Sequence, residues 1–375
     1  MKVLGKDLIE GVKKAKGIVD ESSVIEHLRG FKFNPRPDGK LDIAGSDGRL
    51  TLLAQIPYVE TDNSDGTQLT LDSDKLQELI MYVNGDSNIE FKYTEDEENV
   101  VISLDNFVYN THKKEFENEF IDFDIINETE FDDVVDRKEL IHVLESLVPL
   151  AKVDSPDGLH QTIYLDGNFA YLFDGSIVAK IEFATKKQYV IEQKSAKQIL
   201  VLLKSSEADK VNLKLLNDGH EVLLRTEKDI LVFKVMDPEI YDVDFIDDFK
   251  ETFSFKINRL DFDQAINRTK LATEDEEIFV KIVKDSEHST TGSINLKGLS
   301  DSGEQATDKI AIEDIEGEIE DIGDSEIDLL AKNYLKLSDA MRTKDVIIAI
   351  DVENLYLLIK DTQGKALALM TVNID

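Results

Sequence analysis

The chain has 375 residues, no cysteine and a formal net charge of −35. Without cysteine there are no disulfides, no thiolate zinc sites and no cysteine nucleophiles. No apolar run approaches the roughly 18 residues that a membrane helix needs, and charged residues fill the N-terminal stretch where a signal peptide would be apolar. We therefore expect a cytoplasmic globular protein with no membrane association, long enough for two or three domains.

One sequence pattern recurs three times. Each copy begins with a short alternating strand, continues with an amphipathic helix and ends in three strand-like runs. In the middle copy, Lys187 to Met236, the aligned apolar positions are Tyr189, Ile191, Ala196, Ile199 and Leu203. The same positions hold Leu69, Leu71, Leu76, Leu79 and Val83 in the first copy, and Ile327, Leu329, Tyr334, Leu337 and Met341 in the third. The recurrence predicts an internal threefold repeat with a period of roughly 120 to 140 residues.

In chain order, the repeats are predicted to span residues 1–126, 127–250 and 251–375, with the boundaries inside two acidic connectors. The predicted helices are Lys6 to Val19, Asp74 to Gly85, Arg137 to about Leu147, Glu192 to Lys204, Arg259 to Lys270 and Ala331 to Lys344. Asp-Gly turns separate two strands in each of the first two repeats, at Asp47 and Asp174. A polar segment, Ser300 to Asp308, is predicted to be a loop in the third.

Each repeat is thus predicted to contain two helices and about eight strands, paired mostly with their neighbours along the chain. Runs of strands interrupted by single helices indicate an α+β fold with helices packed on antiparallel sheets.

Positive charge is concentrated in the predicted helices. Counted over the helices with their flanking residues, that is 6–16, 74–85, 137–152, 192–204, 256–270 and 331–344, five of the six segments are net basic. Together the six carry +9, whereas the rest of the chain carries −44. Exposed cations opposite an apolar helix face are ordinarily only a solvated surface. In so acidic a chain, however, their segregation favours a surface that meets phosphates while the remaining surface repels them.

The order helix, strands, Asp-Gly turn, strand, helix and meander, three times over, resembles the bacterial sliding clamp, the beta subunit of DNA polymerase III. The resemblance covers the whole chain. YLFDGSIVAK resembles the family's TDGHRLA turn, VFKVMDPEIYDVDFI resembles its DGRFPDY segment, and the tail ALMTVNID stands in the place of its LPVR-type strand. The resemblance implies three clamp domains per chain and a head-to-tail homodimer closed into a ring, with helices lining the hole. Such a ring is a non-catalytic processivity factor for DNA replication.

The resemblance also implies functional residues. The cations that would meet double-stranded DNA are Lys6, Lys13, Lys14, Lys16, Lys138, Lys194, Lys197, Lys204, Arg259, Arg268, Lys332, Lys336 and Arg342. A pocket for a short apolar peptide of DNA polymerase and clamp-loader subunits would use Phe173, Gly175, Ile177, Val178, Tyr241, Ile246, Met370, Thr371 and Val372. At the ring joint, Phe107 and Tyr109 on an edge strand would meet Leu271 of the other chain.

Few residues support catalysis or cofactor binding. The six histidines are scattered without metal-ligand spacing, and no glycine-rich phosphate loop is present. Acidic runs at 94–99 and 273–277 lack the ligand order of a calcium loop. We therefore expect no enzyme, no metal and no cofactor.

An acidic interaction or scaffold protein on a clamp-like fold, without DNA sliding, remains an alternative. The sequence also leaves open a bacterial, phage or mobile-element origin, and which polymerase or loader it serves.

Overall fold

The structure is a computed structural model, and it describes residues 1–59, 69–93, 99–112, 130–151, 162–235, 246, 249–274, 276–286, 288–317 and 326–374. The α-helices of this part of the chain are α1 (Gly5–Lys16), α2 (Ser73–Ile80), α3 (Arg137–Leu147), α4 (Gln193–Ser205), α5 (Arg259–Thr269) and α6 (Ala331–Ser338). All six predicted helices are present. The first, second and sixth end earlier than predicted, and α2 is followed directly by a turn at Met81 and Tyr82.

The strands follow the predicted order. The first repeat contains β1 (Lys2–Leu4), β2 (Gly30–Pro35), β3 (Lys40–Ser46), β4 (Leu50–Pro57), β5 (Leu69–Asp72), β6 (Asn88–Tyr93), β7 (Asn99–Leu104) and β8 (Phe107–His112). The second contains β9 (Asp133–Asp136), β10 (Thr162–Asp166), β11 (Phe169–Phe173), β12 (Ile177–Glu182), β13 (Tyr189–Glu192), β14 (Lys210–Leu216), β15 (Glu221–Arg225) and β16 (Asp229–Lys234). The third contains β17 (Phe253–Asn258), β18 (Glu277–Lys284), β19 (Gly292–Leu299), β20 (Gln305–Gly317), β21 (Ile327–Leu330), β22 (Asp345–Asp351), β23 (Tyr356–Asp361), β24 (Ala366–Thr371) and β25 (Asn373–Ile374).

One expectation about these strands was wrong, and the strand before the first helix of each repeat was not predicted. A short strand leads directly into the first helix of every repeat, and β1 and β9 are too short to show an alternating pattern in the sequence. The predicted loop Ser300 to Asp308 is a loop only as far as Glu304. Gln305 already pairs with Leu299 of β19, because ladder hydrogen bonds hold a polar segment in a strand regardless of its composition.

The chain divides into two compact units, Met1–Lys138 with Lys197–Pro238, and Glu139–Ala196 with Glu239–Asp375. The first unit has a four-stranded sheet, in the order β1-β6-β7-β8, and an eight-stranded sheet, in the order β5-β2-β3-β4-β16-β15-β14-β9. The second has one sheet in the order β13-β10-β11-β12-β24-β23-β22-β17-β20-β19-β18-β21-β25. All strand pairs among the described residues are antiparallel, so the predicted fold class is confirmed. The predicted repeat boundaries stay a prediction, and the first lies outside the described residues.

The first helices of the three repeats bury the same positions. These positions are Leu8, Gly11, Val12 and Ala15 in α1, Leu140, Val143, Leu144 and Leu147 in α3, and Phe262, Ala265, Ile266 and Thr269 in α5. In the first unit the α1 side chains pack on Phe31, Phe33 and Ile43 of the sheet. The spacing i, i+3, i+4, i+7 gives each helix one apolar stripe against its sheet, which defines the residue equivalence between repeats.

The Asp-Gly turns show the same equivalence atom by atom. Asp47 Oδ1 accepts hydrogen bonds from the backbone N–H of Leu50 at 2.7 Å, and Asp174 Oδ1 accepts from that of Ile177 at 2.8 Å. In turn, the backbone N–H of Asp47 donates to the Leu50 carbonyl at 3.1 Å, and that of Asp174 donates to the Ile177 carbonyl at 3.0 Å. Gly175 has φ of 89°, where a side chain would be strained. The turns therefore place Leu50 and Ile177 at matching positions at the start of β4 and β12.

Strand β4 of repeat one joins strand β16 of repeat two within the first unit. Leu50 lies opposite Phe233, and Ala54 lies opposite Asp229. The backbone N–H of Lys234 donates to the Arg49 carbonyl at 2.9 Å, just beyond this register. The eight-stranded sheet is thus continuous across a joint between two repeats.

Strand β12 joins strand β24 in the same way within the second unit. Ile177 lies opposite Met370, and Ile181 lies opposite Ala366. The backbone N–H of Thr371 donates to the Ser176 carbonyl at 3.3 Å, matching the Lys234 bond in the first unit. The chain therefore contains two joints between repeats, β4 with β16 and β12 with β24, and the strands pair in equivalent registers at both.

Candidate nucleic-acid and partner surfaces

The predicted DNA-facing lysines of α1 fall into two groups. Lys6, Lys13 and Lys16 are exposed. Lys14 is not, since its side chain is only 12% exposed and its Nζ lies 3.0 Å from Asp229 Oδ2 and 3.0 Å from Glu10 Oε1. Lys14 therefore serves the β4–β16 joint, and the geometry does not favour a DNA contact from it.

Burial and charge act in opposite directions on this ion pair. Burial alone would lower the pKa of Lys14, but the carboxylates of Asp229 and Glu10 outweigh it and raise that pKa. Burial raises the pKa of Asp229, and the Lys14 ammonium only partly offsets this effect. The Asp229 carboxylate therefore depends on Lys14 to remain ionised inside the protein.

Helix α4 carries exposed lysines, and its end is fixed by an arginine. Lys194, Lys197 and Lys204 of α4 are exposed, as is Lys138 of α3. Arg137, the first residue of α3, donates from Nη1 to the carbonyl of Leu203 at 2.9 Å. This bond satisfies one of the carbonyls that a helix C-terminus leaves without a partner.

The predicted DNA-facing arginines of the second unit are all engaged within the protein. Arg259, equivalent to Arg137, donates to the Ser338 carbonyl at 3.2 Å at the end of α6, and its side chain is 18% exposed. Arg268 pairs with Asp308 at 2.7 Å, and Arg342 pairs with Glu139 at 2.7 Å. Lys332 is exposed and Lys336 is half-buried. The lysines of α6 are therefore better placed for phosphates than the arginines.

The helices are also less basic than predicted, because they are shorter. Within their structural bounds α1, α4 and α6 are net positive, α3 and α5 are neutral, and α2 is net negative. Three of the six described helices, rather than five, are net basic. Lys256 lies in the strand before α5, Lys270 lies in the short 3-10 helix after α5, and Lys344 lies beyond the end of α6.

The peptide-pocket residues are brought together, but most of them are buried. Strand pairing sets Ile177 and Val178 beside Met370, and Val372 follows in the chain. These four side chains are at most 4% exposed, and Ile246 is 5% exposed. Phe173 is half-buried, whereas Gly175 and Thr371 are exposed. Tyr241 lies outside the described residues. The apolar set thus forms the packed interior beneath the turn, with only its rim at the surface.

Of the residues predicted at the ring joint, Phe107 and Leu271 are exposed and Tyr109 is half-buried. Strand β8 is the last strand of its four-stranded sheet, and Phe107 and Val108 are 51% and 61% exposed. The rings of Phe107 and Tyr109 are stacked, with centroids 6.4 Å apart. Leu271, in the short 3-10 helix Lys270–Ala272 that follows α5, is 80% exposed. Large apolar side chains on an open sheet edge are a surface that pairing with another chain would cover.

Two cavities were not predicted from the sequence. A groove of about 740 Å³ between α1 and α2 is lined by Ile9, Lys13, Lys16 and Met81. A second, of about 590 Å³, lies on the β18-β19-β20 sheet, where Lys281, Lys297 and Lys309 project from neighbouring strands. In the described part of the chain, no group of three or more His, Asp or Glu side chains could hold a metal ion. None of the described helices is both long and apolar enough to cross a membrane.

Comparison with known proteins shows the fold. No protein-family model matches the chain, and no curated protein matches it. The Pseudomonas aeruginosa DNA polymerase III subunit beta superposes with a TM-score of 0.83 at 13% identity, over 100% of this chain and 99% of that chain. The Bacillus subtilis DNA polymerase sliding clamp superposes with a TM-score of 0.83 at 15% identity, over 99% and 98%. Along its whole length, the chain has the fold of the DNA polymerase III beta sliding clamps.

Proposed function

We propose that this protein is a DNA sliding clamp, a non-catalytic homodimeric ring that encircles duplex DNA without reading its sequence and tethers a DNA polymerase. The observation that carries the proposal is that the chain contains two equivalent joints between repeats, each formed by a pair of strands. Two further strands, equivalent to the two members of such a pair, each have an open edge. A cytoplasmic location accompanies this function.

The two open edges belong to β20 and β8. Gln305 to Ile312 of β20 pair with β19, and the β17 pairing begins only near the far end of β20. Strand β8 pairs with β7 and ends its sheet. By the repeat equivalence, β20 corresponds to β4 and β12, and β8 corresponds to β16 and β24. A second copy of the chain therefore supplies the missing partner for each edge.

Repeat equivalence also predicts the register of this third joint. The backbone N–H of Ser300 donates to the Glu304 carbonyl at 3.0 Å, so Glu304 holds the position of Leu50 and Ile177. Phe107, the first residue of its strand, holds the position of Asp229 and Ala366. Glu304 would then lie opposite Thr111, and Asp308 opposite Phe107, of the second copy. Because each chain has both edges, two such joints close two chains into a ring.

Duplex DNA would be held by charge alone. Lys13 and Lys16 of α1, Lys197 and Lys204 of α4 and Lys332 of α6 are exposed on the three net basic helices. Lysine–phosphate contacts carry no base readout, which suits a protein that must move along any sequence. The acidic remainder of the chain would repel DNA and so favour its confinement to these helices.

Polymerase and clamp-loader subunits would dock a short apolar peptide at the Asp174 turn and the C-terminal strand. Phe173, Gly175 and Thr371 supply the surface of this region, and the buried Ile177 and Met370 supply its apolar floor. The Pseudomonas aeruginosa clamp has been solved bound to griselimycin, so a protein of this fold does take a ligand. In this chain a side-chain movement at Phe173 would be needed to reach the floor.

A cysteine cross-link tests the ring directly, because the chain has no native cysteine. Val108 and Thr307 lie opposite each other in the proposed register, at a position equivalent to Ile230 and Leu53, whose Cα atoms pair in the first joint. Hydrogen-bonded antiparallel pairs have Cα atoms about 5.5 Å apart, which suits a disulfide. We expect the variant Val108→Cys with Thr307→Cys to give covalent dimers under oxidation, and sedimentation of the unmodified chain to give the mass of two chains.

The matched control is Val108→Cys with Ala311→Cys, which keeps both cysteines on the same face of the sheet but four residues out of register. It should remain largely uncross-linked. Equal cross-linking of both variants, or a single-chain mass at every concentration, would contradict the ring.

The alternative is an acidic interaction or scaffold protein that keeps the clamp fold without sliding on DNA. The neutral α3 and α5 and the net negative α2 favour it, since they weaken the basic lining. Binding to a long duplex at low salt separates the two functions: the scaffold would show no affinity that depends on the helix lysines.

A further inference from the structure

We infer that Arg268 stacks on Phe107 of the second copy at the ring joint, held in place by Asp308, so that a cation–π contact stands where the first joint has a buried ion pair. The inference rests on the proposed ring. It follows from comparing the same three positions at each joint: one residue on the helix and one residue on each of the two paired strands.

At the first joint this position holds a complete ion pair. Lys14 of α1 reaches Asp229 at the start of β16, and Ala54 of β4 lies opposite Asp229. Asp229 is 1% exposed, so the carboxylate is wholly enclosed between helix and sheet.

At the second joint the position holds no charge. By the match of buried helix positions, Ser146 of α3 corresponds to Lys14, Ile181 corresponds to Ala54, and Ala366 corresponds to Asp229. All three are buried, at 5%, 2% and 3% exposure. This joint is closed by packing alone.

At the third joint the carboxylate changes strands. Arg268 of α5 corresponds to Lys14, but Asp308 stands at the position of Ala54, on the chain's own β20. Both Nε and Nη2 of Arg268 lie 2.7 Å from Asp308 Oδ2. Phe107 of the second copy is the residue equivalent to Asp229. The third joint would therefore have an aromatic ring at the position where the first joint has a carboxylate.

The chemistry of the guanidinium suits this arrangement. Asp308 engages the edge of the planar group through two N–H donors, which leaves its faces able to stack on an aromatic ring. In the single chain, the Arg268 side chain is 58% exposed and Phe107 is 51% exposed, so a contact between them would bury solvent-exposed surface of both. Leu271, one turn beyond Arg268 and 80% exposed, adds apolar surface beside the ring.

The three joints would then differ in how readily they part. Separating the first would break the Lys14–Asp229 ion pair, whereas separating the third leaves Arg268 still paired with Asp308. Opening the joint between chains therefore breaks no ion pair at this position. The ring would open between chains rather than within one.

A double-mutant cycle on the dimer dissociation constant tests the contact, using the full-length chain in sedimentation equilibrium. Phe107→Leu keeps an apolar side chain without the π face, and Arg268→Met keeps the stem without the cation. We expect each to raise Kd by about 2- to 30-fold, the range of a cation–π contact. The double variant should raise Kd by clearly less than the product of the two single effects.

Lys332→Met is the matched control, because it removes an exposed helix cation that has no place at the joint, and it should leave Kd unchanged. Thermal unfolding of each variant at low concentration confirms that the single chain still folds. If the unmodified chain dimerises and the two effects multiply, the contact is wrong and the ring stands. If the unmodified chain never dimerises, the ring and the contact are both wrong.

Discussion

Lys14 and Asp229 show how burial changes the role of a charged residue. In the sequence, Lys14 is one of four similar lysines on a helix, and nothing distinguishes it from Lys13 or Lys16. Its partner lies 215 residues away, so only the fold brings the two together. Arg259 and Arg268 were likewise predicted as DNA contacts but serve a helix end and an ion pair. Exposure and pairing, which decide these roles, cannot be read from residue type and helical spacing.

Replacing Lys14 with methionine should destabilise the first unit by about 3 kcal/mol at neutral pH, because it leaves Asp229 ionised, buried and unpaired. The folded-state pKa of Asp229 already lies above the ordinary 3.8, and losing Lys14 raises it further. A group whose folded pKa is raised costs stability as pH rises through that pKa. The deficit relative to the unmodified protein should therefore shrink as the pH falls towards 4, as measured by urea denaturation at several pH values.

The double variant Lys14→Met with Asp229→Leu serves as the control, and it should recover most of the lost stability because no unpaired charge remains. A deficit of the same size at every pH would show that Asp229 is not the cause.

The Asp174 turn should be a second sensitive point. Asp174 is 6% exposed, and its Oδ1 accepts from the backbone N–H of Ser176 at 2.9 Å and that of Ile177 at 2.8 Å. Asp174→Ala should cost about 1.5 to 3 kcal/mol, the range for hydrogen bonds to a charged group. Asp174→Asn, which keeps an acceptor oxygen, should cost less in the same urea denaturation. Equal losses in the two variants would argue against these bonds.

At the level of the elements, the recurring apolar spacing predicted every helix and most strands. The failures have physical causes: β1, β9 and the start of β20 are held by ladder hydrogen bonds rather than by composition. Helix ends were placed too late because apolar residues such as Val19, Val83 and Met341 continue past the last helical turn. The same apolar residues can form a pocket or a core, so the burial of Ile177 and Met370 was beyond sequence reasoning.

The exposed lysines of α1 should contribute directly to DNA affinity. Lys13→Gln with Lys16→Gln should weaken binding to duplex of any sequence, because each lysine that contacts a phosphate releases a counterion. The slope of log K against log salt should become shallower by up to about 0.9 for each lysine removed. Fluorescence anisotropy with a labelled duplex at several salt concentrations measures the slope.

The control is Lys234→Gln with Lys365→Gln, which removes two exposed lysines from a strand and a turn. An equal change of slope in the two variants would mean that the helices hold no special DNA surface.

At the level of the whole molecule, one joint repeated three times accounts for how a chain of three similar domains would become a ring. Two joints are formed within the chain by β4 with β16 and by β12 with β24. The proposed third joint would need a second chain, and β8 and β20 would supply its two halves. A net charge of −35 would oppose self-association and DNA binding alike, so both would depend on where the few cations stand.

The topological link between ring and DNA can be measured without a clamp loader. The Val108→Cys, Thr307→Cys variant is mixed in reduced form with nicked circular DNA, oxidised to close the ring, and washed at high salt, which removes electrostatically bound protein. We predict that protein stays on the circle and is released when a restriction enzyme cuts it once. Equal retention on circular and linear DNA, or loss from both, would contradict a sliding clamp.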